Sequence, residues 1–107
     1  MSKSRSETNI VGDCLIAISQ AGGLAWRNNT GVLQDKTGRP VKFGLCVGSS
    51  DIIGICPDGK FLAVECKRAN GKATDRQVKF IQAVQDKGGR AGVARCAEDA
   101  VAIMRGH

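Results

Sequence analysis

The 107-residue sequence predicts one α/β domain in which a mixed β-sheet is flanked by helices. Its length and its 42% content of hydrophobic residues suit a single compact core. The patterns along the chain follow the order helix, strands, helix, strand, helix. Neither a repeat nor a domain-sized linker interrupts them, so residues 1–107 are expected to form one domain, with residues 1–4 as a disordered tail.

The first element is a helix predicted over residues 5–20, because apolar residues recur there with helical spacing and glycines follow the last turn. Glu7 lies on the centre line of the apolar stripe, where an acid is costly unless it is neutralised or bound. The alternative is structural, since an acid in the first turn favours the helix dipole and can stay solvated. The sequence leaves both interpretations open. The stripe itself contains Ile10, Val11, Cys14 and Ile18.

Short strands are predicted over residues 24–28 and 41–47, with a loop rich in glycine and asparagine between them. A β-hairpin is then predicted around Pro57-Asp58-Gly59, because these residues favour a tight turn and alternating apolar runs flank them. Counting outward from a three-residue loop pairs position 55 with 61, 53 with 63 and 51 with 65.

That register places Asp51 and Glu65 opposite each other, with Cβ atoms roughly 5 Å apart, where like charges destabilise a sheet. Lys67 shares the face of Glu65 by strand alternation. A divalent cation between the two acids would turn their repulsion into ligation, and Mg²⁺ takes one or two carboxylates together with waters and phosphate oxygens. A lysine beside it would position or deprotonate a water for attack on phosphorus. The competing interpretation is a Lys67 salt bridge that neutralises two acids at the sheet edge.

A second helix is predicted from about residue 74 to residue 87, where two glycines end it. Thr74 and Gln77 fit a capping box, in which Gln77 bonds back to the N-cap amide. Gln77 also lies on the inward line of Phe80 and Ile81, where a polar group in the first turn can face a phosphate. The cap and the phosphate contact do not exclude each other. A strand over residues 91–96 and a helix over residues 97–105 complete the chain.

Composition narrows the classes of function. Sixteen Lys and Arg against ten Asp and Glu give a formal charge of +6, which favours contact with phosphates without proving it. One Trp, three Phe and no Tyr argue against a base-stacking platform. The sole histidine is His107, so a histidine-based catalytic site is not expected.

The five cysteines form no C-x-x-C pair and are expected to be reduced and mostly buried. There is no apolar run of membrane-spanning length, and the polar N-terminus has no signal-peptide pattern. A cytoplasmic protein without a membrane partner is therefore expected.

Four segments in this order resemble the virus-type replication-repair nuclease (VRR-NUC) domain: WRNNTG (26–31), FGLCVGSSDIIGI (43–55), FLAVECK (61–67) and TDRQVKFIQAVQDKGG (74–89). This domain is a branch of the PD-(D/E)XK nuclease superfamily, and the free-standing forms carried by phages and prophages are the most similar type. The resemblance extends from Glu7 to about Ala100. It implies a restriction-endonuclease-like core with the order α-β-β-β-α-β, in a phage or prophage protein that acts in a bacterial cell.

The resemblance implies that Asp51 and Glu65 are metal ligands, that the backbone carbonyl of Cys66 is a third, and that Lys67 is the catalytic lysine. Ser50-Asp51 stands where the superfamily name has Pro-Asp, which leaves the role of the aspartate intact. The same resemblance matches Glu7 to the acid of the first helix, as a metal ligand directly or through water, and Gln77 to the helix glutamine near the site.

The function implied is a Mg²⁺- or Mn²⁺-dependent DNA endonuclease, acting on branched DNA such as four-way junctions, as a homodimer and without an organic cofactor. The alternative is a catalytically silent DNA-binding or assembly domain, although the intact set of site residues favours the enzyme. A long phosphate track is expected on both sides of the hairpin, from Arg27, Asn28, Lys36, Arg39, Lys42, Arg68, Lys72, Arg76, Gln77 and Lys79.

Overall fold

The structure is a computed structural model that describes residues 5–107. The tail predicted at residues 1–4 lies outside the described residues. The elements follow in the order α1 (Glu7–Gln20), β1 (Leu24–Arg27), β2 (Gly31–Gln34), β3 (Pro40–Phe43), β4 (Ile52–Ile55), β5 (Phe61–Cys66), α2 (Asp75–Asp86), β6 (Arg90–Ala94) and α3 (Ala97–Met104). None of the helices between residues 5 and 107 has the length and apolar character needed to cross a membrane.

The main sheet has the strand order β1-β4-β5-β6, with β1 and β5 antiparallel to β4, and β6 parallel to β5. Ile53 pairs with Ala63, and Ile55 with Phe61, so the hairpin register predicted from the turn is confirmed. Elements α1, β1, β4, β5, α2 and β6 give the predicted α-β-β-β-α-β order, and α3 follows it. The prediction of a mixed sheet with flanking helices is therefore confirmed.

Helices cover the two faces of this sheet unequally. Helices α1 and α3 pack on one face, where the larger core includes Cys14, Ile18, Leu62 and Met104. Helix α2 packs on the other face, over a smaller core of Ala63, Ile81 and Ala91. Because alternate β5 side chains point to opposite faces, Glu65 lies on the same face as Ala63, toward α2.

The prediction of a loop between the first two strands is wrong. Residues 31–43 form the antiparallel β2–β3 hairpin, a two-stranded sheet of its own. Its turn depends on Asp35, whose Oδ1 accepts hydrogen bonds from Thr37 and from the N–H of Arg39. The strand missed in this way is β2, which has only four residues and precedes a polar turn.

The strand predicted over residues 41–47 is also too long, since β3 ends at Phe43. Gly44 has a φ of +87°, and a Cβ there would lie 2.5 Å from the carbonyl oxygen of Asn29. The chain therefore turns at Gly44, where only glycine fits.

The five cysteines are free thiols. Three of them, Cys14, Cys56 and Cys66, are buried, as expected of small hydrophobic side chains, whereas Cys46 and Cys96 are exposed.

Candidate active site

The two acids predicted to face each other lie together at the open end of the β4–β5 hairpin. Ile52 pairs with Val64, so Asp51 stands directly before β4 and beside Glu65. Oδ2 of Asp51 accepts a hydrogen bond from the N–H of Cys66 at 2.9 Å. This bond fixes the Asp51 carboxylate against the end of β5.

Glu65 is buried, with 1% of its surface exposed. Its Oε2 accepts a hydrogen bond from Nε2 of Gln77 at 3.2 Å and lies 3.6 Å from Nζ of Lys67. Its Oε1 is buried and has no hydrogen-bond partner among residues 5–107. One oxygen of the acid is therefore held by the protein, and the other is left for a ligand.

Burial, as the largest cause, and the adjacent Asp51 carboxylate together raise the pKa of Glu65 to about 8. Lys67 opposes this shift without cancelling it. In the metal-free protein near pH 7, Glu65 is consequently mostly protonated. A cation that binds there displaces this proton.

The donor set at this end of the hairpin fits Mg²⁺ or Mn²⁺. Within residues 5–107, no group of three or more His, Cys, Asp or Glu side chains converges. Two acidic side chains do not match a closed zinc site, and the carbonyl of Cys66 as a third ligand remains a prediction. The two acids do match Mg²⁺, which binds one or two carboxylates and keeps several waters.

Lys67 lies where strand alternation predicted it, beside Glu65. Its side chain is 12% exposed, and its backbone N–H donates to the carbonyl of Ala94 at 3.0 Å, which extends the pairing of β5 with β6. The salt bridge of the structural interpretation is present at 3.6 Å. The same position holds an ammonium group 3.6 Å from Glu65, so contact with that acid and a catalytic role are compatible.

Gln77 joins the start of α2 to the acids. Its Oε1 accepts from the N–H of Thr74 at 2.8 Å and its own N–H donates to Oγ1 of Thr74 at 3.2 Å, so the capping box is confirmed. The amide nitrogen is left to donate to Glu65. The contact with Glu65 was missed from the sequence, and the contact with phosphate remains a prediction.

Glu7 is exposed in the first turn of α1. It lines a polar cavity of about 340 Å³ together with Arg68, Asn70 and Gly71, in the loop that follows Lys67. The described residues form no acid triad of Glu7 with Asp51 and Glu65. A role for Glu7 in holding a metal therefore remains a prediction, and the structure places it beside the loop at residues 68–71.

Two residues near the site were not recognised in these roles from the sequence. Arg95 donates from Nη1 to the carbonyls of Arg68, Ala69 and Gly71, and so holds the loop that follows Lys67. No sequence signal indicated this. Asn28 bonds to the segment before β4, because the β1–β4 register, continued past Arg27 and Ile52, places residue 28 opposite residue 51. That register follows from the structure and is not encoded by a turn in the sequence.

The basic residues of the expected phosphate track are accessible. Asn28 differs from them, since it is half-buried and its amide nitrogen already donates twice within the protein. DNA contact by these residues remains a prediction. The exposed members are Arg27, Lys36, Arg39, Lys42, Arg68, Lys72, Arg76 and Lys79.

Comparison with known proteins identifies the family. The family model described as the VRR-NUC domain matches residues 26–98, which is more than half of the chain. A solved structure described as a VRR_NUC domain has the same fold, with a TM-score of 0.63 and 20% sequence identity, over 94% of this chain and 96% of that one. Curated protein sequences gave no significant match. The chain belongs to the VRR-NUC family of nuclease-type, DNA-processing domains.

Proposed function

We propose that this protein is a Mg²⁺- or Mn²⁺-dependent endonuclease that hydrolyses phosphodiester bonds in branched DNA, such as four-way junctions, as a homodimer. The observation that best supports the metal is the buried Oε1 of Glu65, which has no protein partner and lies beside a second acid, Asp51. A buried oxygen of this kind costs stability unless a ligand binds it. A divalent cation satisfies that oxygen and removes the repulsion between the acids.

The chain's own residues then have distinct roles. Asp51, Glu65 and the carbonyl of Cys66 would hold the metal, and Gln77 keeps the Glu65 carboxylate oriented through its amide. A bound metal supplies charge neutralisation at phosphate oxygens and a more acidic water. Lys67, with Nζ 3.6 Å from Glu65, is placed to orient the attacking water or to stabilise charge on the phosphate.

Metal titration by calorimetry and a cleavage panel test this proposal. The panel compares duplex, flap, single-stranded and four-way-junction DNA, each with Mg²⁺ and with EDTA. We expect one divalent site per chain that is lost in Asp51→Asn protein, and cleavage of the junction only with metal. A chain that binds junction DNA but has no carboxylate-dependent metal site would be the catalytically silent module instead.

A homodimer is supported by an exposed apolar row on the sheet. Leu24, Ile55 and Phe61 are register partners on β1, β4 and β5, so their side chains share one face, and all three are exposed. Apolar patches of this kind mark interaction surfaces. The face is the one that α2 covers only in part, and Glu65 lies on it. A second copy seated there would give two sites related by two-fold symmetry, which paired cuts in a junction require.

Leu24→Asp and Ile55→Asp test this surface, with Ile16→Asp as the matched control. Ile16 is as exposed as Leu24, at 60% against 59%, but it belongs to α1 on the opposite face. Light scattering should find the wild type and the control dimeric, and the two sheet variants monomeric. A monomeric wild type at micromolar concentration, or dimers in all four proteins, would contradict this surface as the interface.

A further inference from the structure

We infer that Asn28 is a positioning residue for Asp51, an inference that rests on the function proposed above. Its backbone N–H donates to the carbonyl of Asp51 at 2.7 Å. Its side-chain nitrogen donates to Oγ of Ser49 at 2.7 Å and to the carbonyl of Ser50 at 2.9 Å. One residue at the end of β1 thus contacts three consecutive residues, the last of which is the aspartate.

These contacts use both hydrogens of the Asn28 amide. The nitrogen therefore has no hydrogen left to donate to a phosphate, and the oxygen of an amide is an acceptor that a phosphate does not bind. The side chain is half-buried over Ser49 and Ser50, which are themselves buried. Asn28 consequently acts on the segment that precedes β4, and not as a donor of the phosphate track.

The segment needs such support because no β-ladder holds it. Pairing with β1 and β5 begins at Ile52, so residues 49–51 lie outside the ladder. Before them, Gly48 has a φ of +88° and approaches the backbone of Arg76, where a Cβ would lie within 2.9 Å of the carbonyl carbon and oxygen. Ser49 is fixed in turn by donating from Oγ to the carbonyl of Cys46 at 2.7 Å.

Asp51 is therefore fixed at two points. Its main chain is held by Asn28 from β1, and its carboxylate is held by the N–H of Cys66 from β5. Loss of the Asn28 side chain keeps the main-chain bond to Asp51 but removes the bonds to Oγ of Ser49 and to the carbonyl of Ser50. The two residues that lead into Asp51 are then held less firmly, and so is the direction in which its carboxylate points. Residues that orient metal ligands typically change metal affinity by 10- to 100-fold when they are replaced.

The experiment measures the Kd for Mn²⁺ by calorimetry in wild type, Asn28→Ala, Asn28→Asp and the control Asn29→Ala. Asn29 is exposed, is the neighbour of Asn28 and makes no side-chain hydrogen bond within residues 5–107. We expect Asn28→Ala to raise the Kd about tenfold, and Asn29→Ala to leave it unchanged. The Mn²⁺ concentration for half-maximal cleavage should rise in parallel, with the rate at saturating Mn²⁺ restored to within about threefold of wild type.

Asn28→Asp is the sharpest variant, because it keeps the shape of asparagine, removes both donors and adds a negative charge near the site. Simple attraction of a cation would lower the Kd for Mn²⁺, whereas loss of positioning raises it. A lower Kd in Asn28→Asp would overturn the inference.

Two further measurements separate this role from its rivals. A lower Tm of the metal-free Asn28→Ala protein with an unchanged Kd would make Asn28 merely structural and overturn the inference. Weaker DNA binding in EDTA with an unchanged Kd would make it a phosphate contact, with the same consequence.

If Asn28→Ala does not fold, Ser49→Ala removes one of the two acceptors and should raise the Kd for Mn²⁺ about threefold. An unchanged Kd in Ser49→Ala would count against positioning. If calorimetry finds no Mn²⁺ site in the wild type, the proposed function itself is refuted. The wild-type titration therefore tests the proposed function separately from the role of Asn28.

Discussion

Replacing Glu65 by glutamine is expected to stabilise the metal-free protein and to abolish metal binding and cleavage. Glutamine has the shape and the neutrality of the protonated acid, and it removes a group whose pKa burial and Asp51 raise to about 8. The metal, in contrast, needs the charged carboxylate that the variant lacks. Stability and activity should therefore change in opposite directions.

The magnitude follows from the pKa. Because the pKa of Glu65 rises from its ordinary value of 4.5 to about 8 on folding, the folded protein holds more protons on Glu65 than the unfolded chain does. The contribution of Glu65 to the free energy of unfolding is thus fully present below about pH 4.5, is lost as the pH rises, and levels off above about pH 8. At pH 7 the loss is on the order of 3 kcal/mol, because each pKa unit corresponds to about 1.4 kcal/mol. For a domain of this length, regaining that energy would raise the Tm by roughly 10–20 °C.

Thermal unfolding in EDTA at pH 5, 7 and 8.5 measures the effect. The Tm difference between Glu65→Gln and wild type should be small at pH 5 and should grow up to about pH 8. Glu98→Gln is the control, since Glu98 is exposed on α3, and its effect should stay within about 0.5 kcal/mol at each pH. A variant that is no more stable than wild type at pH 8.5, or a difference that does not depend on pH, would refute the reasoning. Full cleavage by Glu65→Gln with Mg²⁺ as the only metal would remove Glu65 from the site.

Two further predictions concern cleavage and a third concerns DNA binding, each measured on junction DNA. Lys67→Ala should lose ~10²–10⁴-fold in kcat while metal and DNA binding persist; a loss under about threefold would exclude a catalytic lysine. Gln77→Glu keeps an acceptor for the N–H of Thr74, so α2 stays capped, but it places a third acid beside Glu65. Cleavage should therefore fall at least about tenfold. Normal cleavage by this variant would make Gln77 only a cap. DNA binding should weaken linearly in a plot of log affinity against log salt, with a slope set by the number of phosphates contacted; affinity that is insensitive to salt would contradict a phosphate track.

The sequence predicted the main sheet because local signals and long-range pairing agree there. The turn at Pro57-Asp58-Gly59 sets the register of β4 and β5 without reference to the rest of the chain, and N–H of Cys56 bonds to the carbonyl of Lys60 as the turn requires. The helices were predictable for a similar reason. Stripes of apolar residues and the caps at their ends are encoded within one segment each.

The β2–β3 hairpin could not be predicted in this way. Its strands are four residues long, most of their side chains are exposed, and they pair only with each other. Its turn residues, Asp35 and Gly38, are also typical of an irregular loop. Period-two alternation is informative only where one face of a strand is buried, and here Val32 and Leu33 are both exposed.

The site was predictable where it depends on register and unpredictable where it depends on packing between elements. Counting along one hairpin was enough to bring Asp51, Glu65 and Lys67 together. The contact of Gln77 with Glu65 depends on how α2 is seated on the sheet, and helical periodicity does not give that distance. The bonds of Asn28 required the β1–β4 pairing, which no turn encodes because β2 and β3 intervene.

The sheet tolerates Asp51 and Glu65 opposite each other because the two acids have different surroundings. Asp51 keeps some contact with solvent and is tied to a backbone N–H, whereas Glu65 is buried and has a pKa of about 8. At neutral pH a proton on Glu65 therefore relieves the repulsion that two charges at this separation would cause. A divalent cation competes with that one proton, so metal affinity should rise with pH by up to tenfold per unit until about pH 8 and then become constant. The burial that makes Glu65 costly for folding is thus also what leaves its second oxygen free for a ligand.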